Sequence, residues 1–237
     1  MSVSRNIVAI GGGGFGRNPN KPIIEDYIIN LSGIKKPTIT FFPTASAEDA
    51  NYIVNFYTAF AQLDCKAQHI SLFKKTPDLK AVIEESNIIY IGGGNTKSML
   101  AVFRDWGLDK LIVNAYKKGT ILAGVSAGAI CWFERGVTDS WAHGLRILDC
   151  MGLLKGVCCP HYDGEVNRRP SVEKFLFNKT IDSSLCIEDG AAVHFENESI
   201  NTAISFYKNK NAYSVEHKDE VLIEKPLKKI DINETSI

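Results

Sequence analysis

Ser126, in Gly124-Val-Ser-Ala-Gly128, is the residue whose type and surroundings most directly suggest chemistry. A serine hydroxyl is a weak nucleophile at neutral pH, so a reactive one must be presented on a sharp turn with a base in reach of its proton. The apolar run 120–125 enters this turn and small residues leave it. That is the pattern of a strand-to-helix elbow, where flanking glycines leave room for a strained serine. A plainer reading of the same residues is a tight connection in which Ser126 only caps the following helix.

A base for Ser126 should be a histidine at another strand end. Of the five histidines, His161 follows a short apolar run and precedes the turn Tyr162-Asp-Gly164. His69 and His194 fall inside strand-like runs, His143 in a polar segment and His217 near the C-terminus. His161 can also be read as a turn residue alone. The partner of the histidine's second nitrogen has to be a carboxylate, which steadies the imidazolium. Asp139, in Val137-Thr-Asp-Ser140, is the first choice, with Asp163 and Glu188 as alternatives near strand ends. Backbone N–H groups of Ala127 and of the turn Gly92-Gly93-Gly94 are candidates for an oxyanion hole. Asn95, next to that turn, could act there or cap the helix that follows it.

These residues need elements that bring their loops together. Apolar runs at 6–10, 38–42, 66–72, 87–91 and 120–125 alternate with amphipathic segments at 22–33, 47–63, 77–86, 96–106 and 108–118. Strands separated by helices in this way predict an α/β fold, a doubly wound and mainly parallel sheet. Ligands gather at the carboxyl ends of such strands, and 11–14, 43–44, 92–95 and Ser126 all fall there. Gly11, Gly13 and Gly16 match the dinucleotide spacing G-x-G-x-x-G, but Arg17-Asn-Pro-Asn-Lys-Pro22 stands where the helix should begin. The run is read instead as a loop bringing backbone close to a neighbouring element. After the elbow, 157–159 reads as a short strand and 170–181 as a helix. Runs near 185, 191–195, 202–207, 212–215 and 221–223 read as antiparallel strands closing the sheet edge, and 228–237 as a frayed tail.

The 237 residues are read as one domain, with 27 basic and 27 acidic side chains. Such a balance offers no basic field for nucleic acid or an anionic membrane, and favours small-molecule or peptide chemistry. No apolar run approaches the ~20 residues of a membrane span. The six cysteines show no C-x-x-C pairing and the N-terminus lacks an apolar leader core, which leads us to expect a cytoplasmic protein with reduced thiols.

Four segments in order, Gly92-Gly-Gly-Asn-Thr96, Gly124-Val-Ser-Ala-Gly-Ala129, Val137-Thr-Asp-Ser140 and Cys159-Pro-His-Tyr162, resemble the peptidase E family of aspartyl dipeptidases and, more distantly, cyanophycinases. The resemblance spans roughly residues 5–195 and implies a glutamine-amidotransferase-like fold. It also implies a serine peptidase that hydrolyses small peptides after an N-terminal aspartate through an acyl-enzyme. Ser126 would be its nucleophile, His161 its base and Asp139 its usual acid; relatives with a glutamate keep Glu188 open. Only 35 residues separate Ser126 from His161, an order unlike the common α/β-hydrolases. Arg168 and Arg169 suit a bidentate contact to the substrate's β-carboxylate, or else are solvated arginines at a helix start. No cofactor or metal is expected, because neither H-E-x-x-H nor a cysteine cluster is present. Two alternatives remain: a cyanophycinase-like hydrolase of β-aspartyl linkages, and a non-catalytic ligand-binding module. The expected partner is a small peptide substrate, with a homo-oligomer also open.

Overall fold

The computed structural model describes residues 3–218 and 221–232. Up to the elbow the chain runs β1 (Asn6–Ile10), α1 (Ile23–Leu31), β2 (Thr38–Phe42), α2 (Ala50–Phe60), β3 (Lys66–His69), α3 (Leu79–Glu85), β4 (Ile88–Ile91), α4 (Thr96–Asp105), α5 (Leu108–Lys117), β5 (Ile121–Val125) and α6 (Ala127–Ile130). The five strands pair in parallel in the order β1-β5-β4-β2-β3. Their continuous apolar runs are explained by burial on both faces. Val8, Ile10, Phe41, Tyr90 and Ala123 pack with Ile24 and Ile28 of α1 and Phe56 and Phe60 of α2. Ile7, Ala9, Phe42, Ile91 and Leu122 pack with Ile83, Phe103 and Ile112 of α3, α4 and α5.

Beyond the elbow come β6 (Phe133–Thr138), β7 (Arg146–Asp149), β8 (Leu154–Cys159), α7 (Arg168–Phe177), β9 (Ser183–Ile187), β10 (Ala191–Glu196), β11 (Ser199–Ser205), β12 (Ala212–Lys218), β13 (Val221–Pro226) and β14 (Lys229–Asp231). Of these, β10, β11 and β14 close the main sheet on the β1 side, with β10 antiparallel to β1 and β11 antiparallel to β10. The rest form a second sheet, in the order β13-β12-β9-β8-β6-β7. This departs from the sequence expectation, in which all the late strands close one sheet and no strand is expected at 133–138 or 146–149. The sequences of β6, Phe-Glu-Arg-Gly-Val-Thr, and β7, Arg-Ile-Leu-Asp, mix charge and glycine with few apolar positions, so neither carries a clear period-2 signal. Residues 229–231, read as part of a frayed tail, pair as β14 with β11; positions 233–237 of that tail lie outside the described residues.

The second sheet matters because β8 and β9 are parallel neighbours, with Cys159 opposite Cys186. Their carboxyl ends therefore emerge side by side and carry 160–164 and 188–190 toward the carboxyl ends of β1 and β5. Gly12, just past β1, bridges to Asp189, just past β9, and so joins the two sheets at that point. Among the described residues no helix is long and apolar enough to cross a membrane.

Candidate active site

Ser126 sits between β5 and α6 with φ 56° and ψ −110°, a conformation that a non-glycine residue holds only under constraint. The constraint is close packing. A Cβ on Gly124 would lie 2.3 Å from the Gly128 carbonyl oxygen, and one on Gly128 would lie 2.0 Å from the Ile91 carbonyl oxygen. Glycine at both positions lets the elbow fold tightly on itself and against β4. Although Ser126 occupies the N-cap position of α6, its side chain caps nothing. Its Oγ lies 2.8 Å from His161 Nε2.

His161 also has a positive φ, 52°, and its Nδ1 lies 2.6 Å from Asp189 Oδ1. A carboxylate only accepts, so Nδ1 carries the ring proton and Nε2 is left to accept from the serine hydroxyl. Burial works to raise the Asp189 carboxyl. Hydrogen bonds from His161 and Arg17, with the charges of both, outweigh it and hold the carboxyl down at about 2. The Asp189 N–H donates to Asp163 Oδ1 at 2.8 Å, and Lys210 pairs with the other oxygen of Asp163. Asp163 thus braces the backbone of Asp189, and the carboxylate hydrogen-bonded to His161 is that of Asp189.

The remaining sequence candidates go elsewhere. Asp139 is not on His161: its side chain is 63% exposed, and it lies 3.8 Å from Arg168 Nη2. The turn after β6 carries it outward, whereas the carboxylate on His161 comes from the end of β9. Glu188 is buried but faces the second sheet, accepting from the Asn211 N–H at 2.9 Å and from the Tyr213 hydroxyl at 3.3 Å. Arg168 is 2% exposed and holds Glu165 at 2.7 Å and the Val137 carbonyl at 2.9 Å. Arg169 stacks on Tyr162, 4.3 Å from the ring centroid, and pairs with Glu224. Both guanidinium groups, expected for substrate, are therefore engaged by the protein. Asn95 caps α4, accepting from the Ser98 N–H at 2.9 Å, and its amide donates to the Ser140 carbonyl.

The glycine turn after β4 does stand beside the serine: a Cβ on Gly93 would lie 3.3 Å from Ser126 Cβ. Its N–H, however, donates to the Tyr52 hydroxyl at 3.3 Å. Burial pushes the Tyr52 hydroxyl up, so it keeps its own proton. Gly94, with φ 136°, packs on the Ala45 carbonyl, where a Cβ would lie 2.1 Å from the oxygen. The Ala127 N–H opens α6 and has no carbonyl one turn before it, which suits an oxyanion donor.

Neither Asp189 nor Arg17 is among the sequence candidates. The nearest signal is Cys186-Ile-Glu-Asp-Gly190, where residue type does not separate Asp189 from the neighbouring Glu188. Past Ile187 the strand alternation ends, and the bridge to Gly12 turns position 189 toward the histidine.

Peptidase family S51 matches residues 7–203. The chain belongs to that family. It is 45% identical to the uncharacterized peptidase YgaJ of Bacillus subtilis (strain 168) over 224 residues, covering 94% of this chain and 97% of that one. Peptidase E of Citrobacter koseri is 34% identical over 87 residues, 36% of this chain and 38% of that protein. Among solved structures, a peptidase from an acI-B1 Actinobacterium superposes with a TM-score of 0.66 at 18% identity, over 97% of this chain and 96% of that one, a likeness of fold.

Proposed function

We propose that this S51 peptidase is a serine peptidase that hydrolyses small peptides after an N-terminal aspartate. The observation that carries the serine mechanism is the unbroken chain Ser126 Oγ, His161 Nε2, His161 Nδ1, Asp189 Oδ1, at 2.8 and 2.6 Å. In this reading His161 takes the Ser126 proton as Oγ attacks the scissile carbonyl, and the Ala127 N–H receives the developing oxyanion. The C–N bond then breaks, His161 returns the proton to the leaving amine, and an acyl-Ser126 remains. Water, deprotonated by the same histidine, attacks the acyl carbon and frees the acid. The preference for aspartate rests on the likeness to peptidase E, since Arg168 and Arg169 are held by protein partners.

Two measurements test this. A fluorophosphonate should label the wild type on Ser126 and leave Ser126→Ala unlabelled. Asp-containing dipeptides should be turned over by the wild type, with the rate lost in the same variant. Undiminished turnover by Ser126→Ala would refute the mechanism; labelling of Ser126 without turnover of any α- or β-linked aspartyl peptide would refute the substrate.

A further inference from the structure

The end of β1 and the glycine run that follows it take no part in the chemistry above, yet together they touch every member of the triad or its neighbour. The Ile10 carbonyl accepts from the Ser126 N–H at 3.0 Å, the Gly11 carbonyl from the His161 N–H at 3.3 Å, and the Gly12 carbonyl from the Gly190 N–H at 2.8 Å, next to Asp189. Gly12 lies flat against the acid–base pair, where a Cβ would meet Asp189 Oδ1 at 1.9 Å and His161 Nδ1 at 2.6 Å. The run then turns through a short 3₁₀ segment, Gly14–Gly16, which aims the next side chain back at the site. That side chain is Arg17, whose Nη1 donates to Asp189 Oδ2 at 2.6 Å.

The two oxygens of Asp189 are thus divided between two donors, Oδ1 with His161 and Oδ2 with Arg17. A carboxylate held by one oxygen can still turn about its Cβ–Cγ bond; a charged donor on the second oxygen removes that freedom and favours the anion. We propose that Arg17 is a positioning residue of the triad, fixing the rotation of the Asp189 carboxylate so that Oδ1 faces His161. This rests on the serine-peptidase reading. It also gives the G-x-G-x-x-G-like run a task within the chain itself, as the strap that carries Arg17 to the acid. The other charged or titratable groups around the pair are Asp163 with its partner Lys210, Glu188, Tyr207 and, beneath Gly14, Glu25. Asp163, Glu188 and Glu25 would oppose ionisation of Asp189 when charged; His161 and Lys210 favour it, and Arg17 is the guanidinium hydrogen-bonded to its second oxygen.

Arg17 is 56% exposed, so its replacement should leave the fold intact, which an NMR amide spectrum checks directly. The experiment compares wild type, Arg17→Gln and Arg17→Lys by fluorophosphonate inactivation, by the kcat and KM of an aspartyl dipeptide, and by the ¹³C titration of the Asp189 carboxyl. In Arg17→Gln, inactivation and kcat should fall about tenfold with KM held, the scale of one charge-assisted hydrogen bond. The loss should stay well short of the ~10⁴-fold expected from removing the acid. The Asp189 titration should move up toward the ordinary ~3.9, and Arg17→Lys should recover part of both effects. A fall in rate with the Asp189 titration unmoved would overturn the proposal in favour of loop packing. A rise in KM alone would make Arg17 a substrate contact and overturn it too, as would no change at all. A wild type that never labels would instead refute the nucleophile, and the positioning role with it, whatever the titration reads.

Discussion

At the scale of single residues, the site turns on which carboxylate faces His161. Ser126 and His161 were both legible, because each sits in a glycine- or proline-marked turn at the end of an apolar run. The acid was not. Asp139, Asp163, Glu188 and Asp189 all lie near strand ends, and type and position alone do not separate them. Geometry does: Asp189 accepts from His161, Asp163 braces the Asp189 backbone, Glu188 turns to Asn211 and Tyr213, and Asp139 is out in solvent beside Arg168. We therefore expect Asp189→Asn to lower kcat on the order of 10³- to 10⁴-fold by leaving the histidine in the wrong tautomer. Asp139→Asn should leave kcat near the wild-type value. Steady-state kinetics on the two variants settles the assignment, and the reverse order of effects would refute it.

At the scale of elements, the loop after β1 is supported from below by α1, which buries Glu25 completely. Glu25 Oε1 accepts from the Phe15 N–H at 2.7 Å, while Oε2 is buried with no partner. Burial, only partly offset by the backbone hydrogen bonds, pushes this carboxyl up to about 7. In the unfolded chain it ionises near ~4.3. Between those values the unfolded state binds fewer protons than the folded one, so this contribution to stability is complete below about pH 4 and falls as pH rises toward 7. The loss is on the order of 3 kcal/mol. Gln at this position keeps the acceptor for Phe15 and cannot ionise. Urea midpoints measured on both sides of that window should fall with pH in the wild type and fall much less in Glu25→Gln; equal declines would exclude Glu25 as the source.

At the scale of the whole molecule, the two sheets meet at the carboxyl ends of β1, β5, β8 and β9, and Cys158, Cys159 and Cys186 are buried on the two strands of the second sheet that reach this junction. Burial pushes Cys150 up to about 12 and Cys65 to about 11, and sets Cys131, Cys158 and Cys186 well above the ordinary thiol range. These thiols should be poor nucleophiles in the folded protein. A thiol reagent at mildly alkaline pH is expected to modify the native protein slowly and all six cysteines once the chain is unfolded in denaturant. Rapid modification of Cys158, Cys159 or Cys186 in the native state would show that the junction opens more readily than its packing implies.

The sequence by itself determined the parallel α/β half and the pair Ser126 and His161. Both are local matters: apolar periodicity sets each strand and helix, and an elbow or a strand-end turn is specified by its own few residues. It also held the family, through four short motifs in order. Only the tertiary structure decided that the late strands divide between two sheets, that Asp189 and not Asp139 reaches the histidine, and that Arg168 and Arg169 are occupied. Each of these depends on which distant segments become neighbours. Asp189 meets His161 because β8 and β9 pair in parallel, and meets Arg17 because Gly12 bridges to it from the main sheet; neither pairing leaves a mark on the residues around position 189.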